Sequence, residues 1–379
     1  MLDIARVLVD RNEPFDNSIL FMWNGAEETL QDGSHLYSTQ HPSAKDIKAV
    51  INLEAAGTTG GALLFQATSK EMIEAFSHAP HPRGTVAAAD VFASGIILSD
   101  TDFGQFEKYL NTSGLDFAIV GHSYFYHTRK DIVEFVEKGS AQHFGDNVLA
   151  IVDHLLTNSS ALSTGAFSPP DMVYCSLYDT WFFSWSMKAA DKAYLVIAAL
   201  VTISTFANVK WGKPMVLTIV GAPLGLVAGL LSANAVAGLL TLTGKRQLWY
   251  VPFRNSSLKN RFSHEHLPLV LYVPAGFLGH LGLQYFLSRF ISPVDRKPLE
   301  KYHYHAQMIF STAQMLALQA FRIRSAYLFA VITSIMLSGV AVRGAVGKGV
   351  WKFILPFTLL VGATVEAVTS VRSPPDLGC

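Results

Sequence analysis

The sequence predicts a layered α/β domain followed by an all-α bundle of membrane-spanning helices. Two observations predict this architecture. Up to about Lys192, charged and apolar residues are mixed, and short apolar runs alternate with amphipathic segments. Beyond that point, long apolar runs dominate. We therefore expect an α/β domain at residues 1–157, a linker and interfacial segment at 158–192, and a transmembrane domain at 193–379.

The elements of the α/β domain follow from local patterns. Apolar runs bounded by turn residues predict strands at 18–23, 49–53, 62–66 and 115–120. Apolar spacing and capping residues predict helices at 2–9, near Pro42, at 69–77 and at 102–110. Layered α/β folds bind their ligands at the carboxyl ends of strands, so candidate site residues are sought there.

The second half contains runs long enough to cross a bilayer. A spanning helix needs about 20 apolar residues. Six apolar segments are present, at 193–209, 214–242, 267–290, 306–320, 325–342 and 353–371. The fourth is short and the second is interrupted, so we expect five or six transmembrane helices in contact with lipid. The aromatic run at 181–185 suits a membrane interface just before the first span, with core packing as the alternative.

Two signals disagree about orientation. The loop at 245–266 is basic, which favours the cytosolic side. The same loop holds a glycosylation acceptor at Asn255, and two more occur at Asn111 and Asn158. One topology, with the α/β domain in the lumen, would make all three acceptors usable. We therefore expect a lumenal domain in a glycoprotein.

Charge and cysteine content exclude several classes of protein. The 29 basic and 29 acidic residues balance, which argues against a nucleic-acid partner. The two cysteines, Cys175 and Cys379, lie far apart and indicate neither a disulfide framework nor a thiolate zinc site. The N-terminal segment lacks the pattern of a signal peptide. The sequence does not predict an oligomeric state.

Acidic residues and a histidine follow the predicted strands. Glu27 and Glu28 come after the first strand, Glu54 ends the second beside a glycine-rich loop, and His127 follows the fourth. Carboxylates and imidazoles bind zinc, and a neighbouring carboxylate can take a proton from the attacking water. The alternatives are a solvated acidic pair, a turn-capping acid and a structural histidine.

Other residues carry weaker predictions. Asp100 and Asp102 either orient metal ligands or cap the helix that begins near Asp102. His143 could border the pocket. His280 and Glu366 are ionisable residues inside predicted spans, which leaves a transporter-like role open.

Several ordered motifs resemble those of the transmembrane di-zinc exopeptidases, a family of aminopeptidase-like metallopeptidases. The motifs are NGAEE, INLEAAG with GGALLFQ, SDTDF, GLDFAIV, and YHT with a later QHFGDN. They cover roughly residues 1–156, and the apolar second half agrees with the family's multi-span part. The likeness is greatest to the vacuolar and endoplasmic reticulum members, which implies location in one of those membranes.

The resemblance implies a mixed sheet flanked by helices, two zinc ions and peptide substrates cleaved from their ends. It makes Glu27 the general base and Glu28, Glu54 and His127 zinc ligands. Family members also carry a His-x-Asp segment and a bridging aspartate upstream of the glutamate pair, and this chain begins too late for them. We therefore expect an N-terminally incomplete peptidase domain with impaired zinc binding. The alternative is a catalytically inactive membrane scaffold.

Overall fold

The computed structural model describes residues 1–25, 27–96, 100–157, 160–242, 267–294 and 299–346. These residues form two compact units. One contains residues 1–190 and 323–325, and the other contains 191–322 and 326–346. The first is an α/β unit and the second is helical, which confirms the predicted fold class.

A three-stranded mixed sheet lies at the centre of the first unit. The strands are β1 (Ala49–Ala55), β2 (Thr59–Ala67) and β3 (Ser113–Gly121), in the order β1-β3-β2. β3 pairs parallel with β1 and antiparallel with β2. As the central strand it is buried along most of its length, which explains its nearly continuous apolar sequence. The mixed sheet expected from the resemblance is confirmed.

Helices surround this sheet. Their N-terminal caps include Ser69, Thr85 and Thr101, whose side chains accept backbone N–H groups of the first turn. The predicted start of the helix at Ser69 is confirmed. The helices are α1 (Leu2–Asp10), α2 (Asp32–Gln40), α3 (Lys70–Phe76), α4 (Val86–Ala93), α5 (Asp102–Leu110), α6 (Ser140–Leu155) and α7 (Ala161–Thr164). Single 3-10 turns occur at Glu27–Thr29, Ala44–Asp46, Ser123–Phe125 and Val133–Phe135.

The predicted strand at 18–23 is wrong. This segment has no regular secondary structure, and within the described part of the chain it joins no strand ladder. Its side chains instead line a cleft of about 430 Å³ together with residues 46–53 on the edge of the sheet. A short apolar run predicts burial, whereas a strand also needs a neighbouring backbone to pair with, and periodicity does not show that neighbour.

A β-hairpin occupies part of the segment predicted as a linker. Its strands are β4 (Met172–Leu177) and β5 (Trp181–Ser186), which pair antiparallel with Cys175 opposite Phe183. The two-stranded sheet belongs to the first unit. The helix α8 (Met187–Asn208) begins at the residue after β5.

The second unit is built from long helices. After α8 come α9 (Lys213–Leu242), α10 (Leu267–Ser288), α11 (Leu299–Ala320) and α12 (Ala326–Val346). Among the described residues, three stretches are long and apolar enough to cross a membrane: Met187–Asn208, Lys213–Leu240 and Leu269–Ser288. Ala326–Val342 is a shorter apolar helix. The predicted span at 353–371 lies outside the described residues, so the expected total of five or six stays a prediction.

Glycines let α9 and α10 approach closely. A Cβ atom added at Gly229 would lie 2.8 Å from the carbonyl oxygen of Gly276 on α10. Gly221, Gly225 and Gly229 recur every fourth residue, which places them on one face of α9. This is the small-residue packing typical of helix pairs in lipid.

The glycosylation acceptors are only partly described. Asn111 ends α5 in a left-handed conformation and is exposed. Asn158 and Asn255 lie outside the described residues, as does the whole basic loop at 245–266. The lumenal orientation stays a prediction.

Candidate active site

The glutamate pair is held by hydrogen bonds on both sides. Glu27 and Glu28 are the first two residues of the 3-10 turn Glu27–Thr29. Before the turn, the Asn24 amide donates to the Asp102 carboxylate at 2.9 and 3.1 Å. After it, the Gln31 side chain donates to Glu27 Oε1 at 3.3 Å. These contacts fix the pair against the start of α5.

Glu28 lies against His127. Their Oε2 and Nε2 atoms are 2.6 Å apart, although the residues are 99 positions apart in the chain. His127 has a left-handed backbone with φ of 56°, which turns its side chain back after the Ser123–Phe125 turn. The neighbouring Tyr126 also hydrogen-bonds to Glu28, and burial followed by the charges of Glu28 and Glu54 raises its pKa to about 12. The Tyr126 hydroxyl is therefore a neutral donor beside this carboxylate.

Glu54 is the third of the predicted carboxylates and lies at the end of β1. Its Oε1 atom accepts the Ala55 N–H at 2.8 Å. Burial raises the pKa of Glu54, and the charges of Glu28 and Asp102 add to the rise, while the Ala55 hydrogen bond and His127 oppose it. These interactions require Glu54 to lie near the pair of Glu28 and His127.

The pKa of Glu27 is raised by burial and by the neighbouring carboxylates. Burial raises its pKa most, followed by the negative charges of Glu54, Asp102 and Glu28. Glu27, Glu28, Glu54 and His127 thus come together from three separate segments of the chain. Glu28 and His127 are in direct contact, but no three of the described His, Cys, Asp or Glu side chains are grouped to hold a metal, so the predicted site and the roles of its residues stay predictions.

Asp100 and Asp102 lie on either side of the helix cap. Thr101 caps α5 by accepting the Phe103 N–H, and Asp100 accepts the Thr101 N–H at 2.9 Å. Asp102 is the first helical residue and accepts from Asn24. Asp102 therefore both begins the helix and contributes negative charge to the site.

Sequence reasoning missed two residues near the site. Tyr126 is one, and its only signal was its position beside His127. The other is Asp116, a fully buried carboxyl group on β3. The amides of Asn52 and Gln66 and the hydroxyl of Thr101 donate to it at 2.9, 3.2 and 2.7 Å. A single acid inside the apolar run LDFAIV could have revealed it.

His143 lies in a separate buried cluster. A side chain at Gly61 would collide with the His143 imidazole, so only glycine permits this approach. Burial, then the charge of Arg83, lowers the pKa of His143 to about 4, and the imidazole is neutral at neutral pH. Arg83 is itself buried and pairs with Asp179 in the β4–β5 turn. The sequence did not predict this ion pair.

Of the two ionisable residues predicted inside spans, the structure describes His280. On α10, the His280 Nε2 atom lies 3.2 Å from the Gln307 amide nitrogen of α11. One turn later, Gln284 donates to the Gly221 carbonyl at 2.7 Å. Glu366 lies outside the described residues. Hydrogen bonding between helices accounts for these contacts, and a transport path is not needed to explain them.

The ligand types suit zinc, but the described residues supply only part of a ligand set. Two ligands on one tetrahedral zinc lie about 3.4 Å apart, so Glu28 and His127 would separate by less than about 1 Å to hold an ion. In the described part of the chain, no three His, Cys, Asp or Glu side chains are grouped to hold a metal. Glu28 and His127 fit one edge of such a site, and Glu54 lies near it.

Comparison with known proteins places this site in a family. Residues 1–152 match peptidase family M28. "Endoplasmic reticulum metallopeptidase 1" of Mus musculus is 37% identical over 53% of this chain and 23% of its own length. The Homo sapiens protein of that name is 32% identical over 67% of this chain and 29% of its own. The "Vacuolar membrane protease" of Coccidioides posadasii is 29% identical over 73% of this chain and 26% of its own length.

The chain spans less than a third of the length of these relatives. No solved structure matches it. The match to residues 1–152 contains every residue of the candidate site. The α/β domain of this chain therefore belongs to peptidase family M28.

Proposed function

We propose that the protein containing this chain is a membrane-anchored zinc exopeptidase. Glu27 is the general base, and Glu28, Glu54 and His127 are metal ligands. The observation that carries the proposal is the convergence of these four side chains from three separate segments, with Glu28 and His127 in direct contact. Membership of a peptidase family supports the same reaction class.

Three residues of the chain have separate roles in the proposed peptide hydrolysis. Bound zinc would supply a Lewis acid that lowers the pKa of a water molecule. Glu27 would be the proton acceptor there, and its raised pKa makes it a stronger base than an ordinary glutamate. Gln31 holds the Glu27 carboxylate through its amide. Tyr126 donates its neutral hydroxyl to Glu28 and so helps to hold that carboxylate in place.

The proposed location is the vacuolar or endoplasmic reticulum membrane, with the peptidase domain in the lumen. The names of the relatives support these membranes. The three long apolar helices support an integral protein in contact with the bilayer. Peptides with a free terminus are the proposed substrates.

A second candidate function is an inactive membrane scaffold. It is favoured by the incomplete ligand set, because described residues contain no group of three that could hold a metal. A site with two ligands and a separate carboxylate would bind zinc weakly, since zinc sites use three or four protein ligands.

Zinc content and peptidase activity distinguish the two functions. The protein is expressed from the native transcript, including any coding sequence upstream of Met1, and purified from membranes. For the enzyme, Glu27→Gln should retain zinc and lose about 100- to 10,000-fold in kcat on an aminopeptidase substrate. His127→Ala should lose zinc itself. The matched control is Glu74→Gln, which changes an exposed glutamate on α3.

The scaffold predicts a different pattern. The wild-type protein would then contain no zinc, and Glu27→Gln would leave any residual activity unchanged. A zinc-containing wild-type protein whose activity survives Glu27→Gln would refute the role of Glu27 but not the metal site.

A further inference from the structure

The β4–β5 hairpin exposes large aromatic side chains on one face. Tyr178, Trp181 and Phe183 are 59%, 54% and 48% exposed. The opposite face packs against the domain, where the Phe182 ring lies 5.3 Å from the ring of Phe76. Exposed aromatic side chains grouped on one short hairpin are uncommon on a water-facing surface and usually mark a contact site.

The hairpin is firmly attached to the α/β unit. The Arg83 Nε atom donates to Asp179 Oδ1 at 2.8 Å, and a second, shorter contact joins Nη2 to Oδ2. The Ser176 hydroxyl accepts the Gly84 N–H at 2.8 Å. The exposed aromatic face is therefore presented by a rigid element of the domain rather than by a flexible linker.

The hairpin is also continuous with the first candidate span. β5 ends at Ser186, whose hydroxyl accepts the Ala189 N–H of α8 at 3.2 Å. Six strand residues extend about 20 Å, so Trp181 lies no farther than that from the first residue of the span. Two exposed lysines, Lys188 and Lys192, occupy the first turns of α8. Aromatic and basic side chains beside one end of a span are the usual anchors at a membrane interface.

We infer that the β4–β5 hairpin lies in the interfacial layer of the bilayer, with Trp181 and Phe183 at the boundary between headgroups and acyl chains. Lys188 and Lys192 reach the lipid phosphates. The partner is lipid rather than another protein, because the aromatic face joins a membrane span without an intervening residue. The hairpin thereby gives the peptidase domain a second attachment to the membrane, besides the covalent connection through α8.

The depth of a spin label tests this inference. The full chain, with Cys175 and Cys379 changed to serine, is labelled at Phe183→Cys and reconstituted in phosphatidylcholine–phosphatidylserine vesicles. The matched control is Val133→Cys, since Val133 is an 84% exposed apolar residue of the same unit. Collision with oxygen should exceed collision with a water-soluble nickel chelate at position 183, and nickel accessibility should be several-fold lower than at position 133.

Two results would overturn the inference. Equal nickel accessibility at positions 183 and 133 would place the hairpin in water. Protection of position 183 from both oxygen and nickel would show that a protein surface, such as a second copy of the chain, covers the face.

A second measurement avoids the cysteine substitutions. Tryptophan fluorescence of the chain with its natural cysteines is compared with that of Trp181→Phe, in vesicles with and without brominated lipid. The difference spectrum assigned to Trp181 should be quenched by the brominated lipid. Quenching by aqueous acrylamide alone would contradict the inference.

Discussion

Replacing Asp116 with asparagine should remove a pH dependence from the stability of the central sheet. Asp116 is fully buried on β3, and burial raises its pKa to about 7 despite the three hydrogen bonds from Thr101, Asn52 and Gln66. In the unfolded chain an aspartate has a pKa of about 3.9. Between these two values the folded protein holds a proton that the unfolded chain has lost.

The sign of the effect follows from this difference. The contribution of Asp116 to stability is fully present below pH 4 and is lost as the pH rises through 7. Between pH 5 and 8 the free energy of opening the sheet should fall by roughly 3 kcal/mol. The asparagine variant carries no titrating group at this position, so its stability should stay level over that range.

Hydrogen exchange followed by mass spectrometry can measure this change locally. Peptides that cover β3 report its opening free energy after correction for the intrinsic exchange rate at each pH. A local probe is needed because a chain with two units does not unfold in one step. Asp3→Asn, which changes an exposed aspartate on α1, should keep the wild-type slope. A flat wild-type profile, or a slope that persists in Asp116→Asn, would refute the reasoning.

Two further pairs of substitutions test the packing of the α/β unit. Gly57→Ala should destabilise the sheet by about 1–3 kcal/mol, because the new Cβ would overlap the carbonyl oxygen of Gly121. The control is Gly145→Ala on α6, where the new Cβ would enter open space. It should stabilise the helix by up to about 1 kcal/mol. Equal shifts in β3 exchange for the two alanines would contradict this. Asp179→Asn should lower the free energy of unfolding by about 3–5 kcal/mol, because Arg83 would stay buried without its countercharge. Adding Arg83→Met to that variant should recover part of the lost stability, measured by thermal unfolding. A double variant no more stable than Asp179→Asn would argue against the ion pair.

Some site residues could be predicted because a local pattern marks them. Glu54 lies at the end of the apolar strand β1 and precedes a glycine-rich loop, so both its position and its neighbourhood are visible in about ten consecutive residues. Glu27 and Glu28 were located correctly although the strand assigned before them is absent. Residues 18–23 before them are half-buried or exposed and line a cleft beside the sheet, so the apolar run marked this part of the chain without forming a strand.

Other residues could not be predicted because their partners are distant in the chain. Asp116 accepts from Asn52 and Gln66, which are 64 and 50 positions away. Arg83 pairs with Asp179, 96 positions away, in a segment that looked like a linker. Asp116 stands out as an acid within an apolar run, but that run does not show which donors surround it, and nothing near Arg83 in the sequence points to Asp179.

The sequence by itself determined the two-part architecture, because long apolar runs and alternating short ones differ in composition whatever their neighbours are. It also determined the strand-end position of Glu54 and the motifs that carry Glu27, Glu28 and His127. Only the tertiary structure decided the strand order β1-β3-β2, the contact between Glu28 and His127, and the aromatic face of the hairpin. These features depend on which distant surfaces meet, and that outcome is set by the packing of the whole unit rather than by any local pattern.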